Sequence, residues 1–418
     1  MEQISEHLLY GRQLVVNRKY PEYELPTWVE KEAAILNGKC RRCGQHPPYW
    51  ARLPQGTYCW SCHMLGRLTS NDDLVMLAER NQFAVPNQFF KWTGHLTTKQ
   101  ANVAQELKAG IQRGQLHLIH AVTGAGKTEM LYPTLVWAIS QQYRIGIVAP
   151  RIDVVEELGW RIKRDFLVKQ MVLHGQTTLP YDYTQIVIAT VQQLLRFYRA
   201  FDLLIVDEFD AYPLVDNPVL LYAIKRAVKI RGSLIYLTAT LPKRIAPTIK
   251  VLKLNKRFHG GPLPLLDVHF CWDWRRYLPR HLQKNIQALR PQQQVLVFVP
   301  KVSDLEPLAE KLRIYSQKVD IIHAQSKRRK EVIDAFKRGE IQVLVTTSLL
   351  ERGVTFPKID VAIMGAEEAL YTKAMLIQIA GRCGRSIERK EGHVWTYIRT
   401  NTWKIQQVNQ ELRALNEE

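Results

Sequence analysis

Four groups of residues have the types and spacing to do chemistry. The first is Ala121-Val122-Thr123-Gly124-Ala125-Gly126-Lys127-Thr128, directly after the apolar run Leu116–Ile119. It matches the phosphate-loop pattern G-x-x-x-x-G-K-[ST], with alanine at the first glycine. Thr123, Gly124, Ala125 and Gly126 form a loop whose glycines let backbone N–H groups turn inward around phosphate oxygens. Lys127 supplies a point charge for the β/γ-phosphates, and the Thr128 hydroxyl suits Mg²⁺. A helix N-terminus should follow and add its dipole, with Pro133 kinking that helix. A chance Lys after a glycine-rich turn is the bland alternative.

The second group argues against that alternative. The stretch 203–210 reads Leu-Leu-Ile-Val-Asp-Glu-Phe-Asp, an apolar strand ending in acids. Adjacent carboxylates at a strand end are costly without a cation nearby. Asp207 is placed to hold Mg²⁺, and Glu208 to orient and deprotonate an attacking water. The third group is Arg382 and Arg385, three residues apart and so on one face of a helix or tight turn.

The fourth group is Cys40, Cys43, Cys59 and Cys62, spaced C-x₂-C-x₁₅-C-x₂-C. This spacing reads as a zinc site, and four thiolates close a tetrahedron with no open position, so Zn²⁺ is structural there. Arg41, Arg42, Trp50, Arg52, Tyr58 and Trp60 surround the cysteines. Cations interleaved with aromatics suit a knuckle that binds a nucleic-acid strand. A zinc staple docking the N-terminal region onto the rest of the chain is the equal alternative.

These groups need elements to hold them. Residues 1–38 are weakly periodic, 39–70 carry the cysteines, and 71–95 connect onward, with helical apolar spacing over 72–80. From residue 96, short apolar runs alternate with helical segments, which predicts parallel strands with crossover helices. A Gly/Pro-rich stretch at 257–268 reads as a linker, and the alternation resumes over 269–418. The expected architecture is α/β: two parallel-sheet domains in tandem, 96–256 and 269–418, behind a small zinc module.

Lys plus Arg number 58 against 39 Asp plus Glu, a formal charge of +19 over 418 residues. Such an excess favours a polyanion, nucleic acid first and an anionic membrane surface second. No apolar run approaches a membrane span and the start lacks a signal core, so the chain reads as intracellular. Six cysteines, four of them in two close pairs, do not form the framework of a small secreted domain.

Taken in order, AVTGAGKTE, VDEFD, LTAT (237–240), TTSLLERGVTF (346–356) and QIAGRCGR (378–385) resemble the ordered motifs of superfamily-two helicases over residues 96–400. With the cysteine module ahead of them, QLLRFYRAFDLLIVDEFDAYP and LLERGVTFP resemble the competence protein ComFA family. The resemblance implies two RecA-like domains, ATP with Mg²⁺, and a cytoplasmic ATPase that drives single-stranded DNA through a membrane channel, with ComFC as a further partner. It makes Arg382 and Arg385 arginine fingers and Gln378 a contact to ATP or water. It makes Gln100 the adenine reader, and Thr238 and Thr240 the coupling motif. Arg151, Thr190 and Thr346 become backbone contacts to the strand. Two departures stand out: D-E-F-D replaces D-E-A-D or D-E-A-H, and the first loop glycine is Ala121. A duplex-unwinding repair or restart helicase, an RNA-dependent ATPase and a non-catalytic zinc nucleic-acid-binding protein are the alternatives.

Overall fold

The structure is a computed structural model that describes residues 2–54, 56–241, 245–258, 260–347, 356, 358–384, 389 and 391–417. It divides into two compact units, one of residues up to His120 with Lys127–Lys253, the other of Ala121–Gly126 with Leu254–Glu418.

After a short N-terminal strand and turn, the first unit forms an antiparallel sheet of β1 (Gln13–Asn17), β2 (Glu30–Ala33) and β3 (Asp72–Met76), in the order β1-β3-β2. The helix expected over 72–80 is therefore a strand over its first part. β3 is the central strand, and Leu74, Val75 and Met76 are all buried. Burial on both faces erases the period-two alternation that would have marked it. The cysteine segment lies between β2 and β3 in two short hairpins, Ile35–Leu36 with Lys39–Cys40 and Arg52–Leu53 with Gly56–Thr57. The N-terminal and connecting segments are thus one interleaved sheet.

The first parallel sheet contains β4 (Leu116–Ala121), β5 (Ile145–Ala149), β6 (Gln170–Leu173), β7 (Ile186–Thr190), β8 (Phe201–Val206), β9 (Val228–Thr238) and β10 (Ile249–Leu254). Their order is β6-β7-β5-β8-β9-β4-β10, and the pairs from β6 to β4 are parallel. Helices α1 (Thr98–Ile111), α2 (Lys127–Ser140), α3 (Ile152–Asp165) and α4 (Pro218–Ala227) connect them. β5 and β7 are buried at every residue, as strands covered by helices on both faces must be. The N-terminal sheet is tied to this layer by a fully buried pair: Arg144 donates to Glu79 at 2.5 Å, to Tyr10 O at 2.7 Å and to the Tyr181 hydroxyl at 2.6 Å. Removing one partner of such a pair costs about 3–5 kcal/mol, because the other charge is left buried and alone.

The second unit holds a six-stranded sheet of β11 (Leu266–Phe270), β12 (Gln294–Phe298), β13 (Val319–Ile322), β14 (Val343–Thr346), β15 (Ile359–Met364) and β16 (Val394–Ile398). The order is β11-β16-β15-β12-β14-β13, parallel throughout. Its helices include α5 (Arg280–Gln287), α6 (Leu305–Arg313), α7 (Arg329–Lys337), α8 (Lys373–Ala380) and α9 (Trp403–Glu417). β11 begins inside the stretch expected to be linker. Both sheets confirm the tandem α/β architecture, and β6, β10 and β11 are strands the apolar runs did not reveal.

Candidate active site and cysteine centre

The phosphate loop is the turn between β4 and α2. Gly124 and Gly126 adopt φ of +84° and +71°, the left-handed region that lets consecutive N–H groups face inward without a Cβ penalty. Lys127 is the first residue of α2, so the helix N-terminus and its lysine lie together. Pro133 lies within α2, which runs on to Ser140. Thr128, one residue into the helix, is half-buried.

β8 delivers the acids beside this helix start. The Lys127 Nζ and Asp207 Oδ1 are 4.0 Å apart. Main-chain bonds pin the turn: the Asp207 N–H donates to Val148 O at 2.7 Å, and the Phe209 N–H to Leu237 O at 2.9 Å. The Glu208 N–H donates to Asp207 Oδ1 at 2.8 Å, which leaves the other Asp207 oxygen available to a cation. Glu208 adopts φ +51°, rare for a residue with a side chain. Strain of this kind persists where surrounding bonds over-determine it, and it concentrates at functional sites. The Phe209 ring packs on Tyr236 of β9 at 4.3 Å between centroids, so the bulk that D-E-F-D adds is taken up against that strand.

Thr238 and Thr240 are joined to that turn. Thr238 Oγ1 donates to Thr240 O at 2.6 Å and accepts from the Thr240 N–H at 3.2 Å, and Thr240 Oγ1 donates to Asp210 Oδ2 at 2.8 Å. Asp210 had no assigned role in the sequence; it is the acid through which the end of β9 meets the acidic turn. Gln100 is buried and closes a capping box with Thr97. The Thr97 N–H donates to Gln100 Oε1 at 2.8 Å, and the Gln100 N–H donates to Thr97 Oγ1 at 3.3 Å. Arg151 stands at the N-cap position of α3 and pairs with Asp153 at 3.1 Å. Thr190 ends β7 and is buried, and Thr346 ends β14 with no exposed surface. Most of the 346–356 motif lies outside the described residues.

In the second unit, Gln378 lies on α8 and Arg382 just after it, both buried. Arg385 lies outside the described residues. Arg257, placed by sequence in a linker, is buried instead. Its guanidinium donates to the carbonyls of Gly381 at 3.1 Å and of Cys383 and Gly384 at 2.8 Å each. Burial pulls its pKa down to about 10. It therefore clamps the backbone that carries Arg382. No motif marks it, because its partners are more than a hundred residues away in sequence.

The four cysteines are fully buried, and their sulfurs all lie within 4.8 Å of one another. The Cys40–Cys62 and Cys43–Cys59 separations are 3.8 and 3.5 Å. Thiolates bound at ~2.3 Å around a tetrahedral zinc lie ~3.8 Å apart, so the donor set fits Zn²⁺. Arg42 is buried against it, donating to Cys62 Sγ from Nε and Nη2 at 3.2 Å each and to Gly66 O at 2.8 Å. Hydrogen bonds from Cys40 and Cys43, and then the Arg42 charge, hold the Cys62 thiol below its usual range. Gly44 turns the first knuckle at φ +76°, and a Cβ there would meet the Tyr222 ring of α4 at 2.6 Å. The Tyr222 hydroxyl donates to Arg41 O at 3.2 Å, so the module docks on α4. A second convergence, Asp267 with His269 and His281, does not fit a metal in the same way. The two imidazoles stack at 3.9 Å and 24°, so their in-plane lone pairs lie in two separate, nearly parallel layers and do not converge on one ion.

Residues 97–248 match the model of the DEAD/DEAH box helicase, and residues 278–386 that of the helicase conserved C-terminal domain. The competence protein ComFA of Streptococcus pneumoniae is 38% identical over 91% of this chain and 90% of its own length. That of Bacillus subtilis is 34% identical over 91% of this chain and 86% of its own. The helicase Lhr of Mycobacterium smegmatis, solved bound to ssDNA and AMP-PNP, has the same fold: TM-score 0.58, 18% identity, 76% of this chain and 48% of that one. Among the described residues no helix is long and apolar enough to cross a membrane. A phosphate loop with its lysine beside a strand-end acid pair, a second parallel-sheet unit carrying the helicase C-terminal motifs, and identity to both relatives sustained over 91% of this chain place it in the competence protein ComFA family of ATP-hydrolysing, helicase-type enzymes.

Proposed function

We propose that the chain is a single-stranded-DNA-stimulated ATPase that moves along the strand and supplies the motor for uptake of transforming DNA. The observation that carries this reading is the Lys127–Asp207–Glu208 arrangement in a chain of the competence family. The +19 charge supports a polyanionic track.

Lys127 and the N-terminus of α2 attract the β- and γ-phosphates, and Gln100 reads the adenine. Asp207 and the Thr128 hydroxyl would hold Mg²⁺, which spreads the charge of the transferring phosphoryl group when bound. Glu208 takes a proton from the attacking water. Arg382 and Arg385 act as fingers on the γ-phosphate, a contribution worth roughly 10³–10⁵ in rate. Gln378 contacts ATP or its water. The Asp210–Thr240–Thr238 chain passes the state of the acidic turn to the end of β9. Arg151 meets the sugar-phosphate backbone, which positions a strand without reading its sequence, while Thr190 and Thr346, buried at the ends of β7 and β14, support the loops around that path. The partners in this reading are a membrane DNA channel and ComFC, with the enzyme at the inner face of the cell membrane.

ATP turnover measured with single-stranded DNA, duplex DNA and RNA tests the proposal. Single-stranded DNA should stimulate most, with no dependence on base order. Greater stimulation by RNA would assign the chain to RNA-dependent ATPases, and separation of a duplex in a strand-displacement assay would make it an unwinding helicase.

A further inference from the structure

The structure splits the residues around the cysteines into two sets. Arg41 pairs with Glu32 and Arg42 is buried on Cys62, so these cations serve the module itself. Trp50 and Trp60 do the opposite. Each is about half exposed, with Tyr49 84% and Met64 60% exposed beside them in sequence. Trp60 stacks on His63 at 4.4 Å and 16°, and Trp50 meets its edge at 5.4 Å. The His63 Nδ1–H donates to Trp60 O at 2.5 Å, which fixes the imidazole against the indole. Large apolar rings left in water, yet held in a fixed stack on a metal-sized knuckle, are built for contact and not for the core. The chemistry of the contact follows from charge. Residues 33–71 contain no Asp or Glu at all, and Lys39, Arg52 and Arg67 on this segment are exposed. An apolar protein surface needs no such exclusion of acids; a strand of phosphates with flat bases does.

The geometry points to the Trp60–His63 stack, edged by Trp50, as a base-stacking platform for single-stranded DNA on the cysteine module, a site separate from the motor. This rests on the reading that the chain binds single-stranded DNA. The indole offers its open face to a base, His63 holds the indole's orientation, and Arg52, Arg67 and Lys39 meet the phosphates. Because every base has a π-face, the platform is indifferent to sequence, as a strand-gripping site must be.

The test uses the full chain and an unlabelled oligo-dT, read by tryptophan fluorescence and by competition against a labelled strand. The parent should bind with quenching of its tryptophan emission. Trp60→Ala should keep one zinc per chain and its DNA-free ATPase rate, yet bind roughly five- to a hundredfold more weakly, the range that loss of one base–aromatic stack gives. Trp60→Phe, which keeps a π-face, should recover most of the affinity, a result that a merely structural role would not produce. Undiminished dT binding by a zinc-loaded Trp60→Ala protein overturns the platform while leaving the single-strand reading intact. Loss of self-association or of a protein partner in that variant, with dT binding unchanged, also overturns it and assigns the face to a protein. A parent chain that binds no single strand defeats both readings together.

Discussion

Glu208 stands in a left-handed conformation at φ +51°, in a turn pinned by two main-chain bonds, one on either side, and by its own N–H bond to the Asp207 carboxylate. The fold tolerates a cost of about 1–3 kcal/mol to hold that carboxylate where it is. Glu208→Gln keeps size and hydrogen bonding but cannot take a proton. Turnover should fall by at least roughly a hundredfold, the lower end of what general-base catalysis contributes, while ATP still binds through Lys127 and Asp207. Single-turnover hydrolysis and equilibrium nucleotide binding on the same protein separate the two effects; turnover near the parent's removes Glu208 from the chemistry. Lys127, Asp207 and Glu208 were legible in the sequence because each motif is carried by consecutive residues on one strand end or one turn. Asp210 and Arg257 were not. Asp210 gains its meaning from Thr240, thirty positions on, and Arg257 from three carbonyls beyond residue 380.

At the scale of elements, the segment after β10 is part of the second unit's own structure. Within the second unit, Arg257 holds the backbone after α8 by three carbonyls. Arg257→Ala should lower kcat roughly tenfold with little change in KM for ATP, the pattern of lost transition-state alignment and retained ground-state binding. Combined with Arg382→Ala it should cost little more than Arg382→Ala alone, since both act through one loop. Additive losses would show that Arg257 serves stability only, as would an equal fall in every property alongside a lower melting temperature. The sequence marked most strands of both sheets because doubly covered strands are short runs of Val, Ile and Leu. It misplaced β3 for the same reason: a central strand buried on both faces shows no alternation, and 72–80 then imitates a helix. β11 was hidden because Gly260, Gly261, Pro262 and Pro264 directly ahead of it read as linker composition.

At the scale of the molecule, the cysteine module is not an appendage. It is inserted between β2 and β3, and β3 is the strand that joins β1 to β2, with Asn17 opposite Asp72. That pairing closes a long loop, and such non-local closure slows folding until something shortens the search. Zinc held by these four thiolates, at the apparent ~10–16 kcal/mol of small zinc modules, would be strong enough to organise the loop first. Refolding of reduced chain should therefore be biphasic in chelator, with the first unit's N-terminal sheet forming late, and should merge into one faster phase once zinc is supplied. Hydrogen exchange along β1 and β3 during refolding reads this directly; identical protection rates with and without zinc would refute it. If the rates diverge, metal supply sets the timetable by which each newly made chain becomes a finished enzyme.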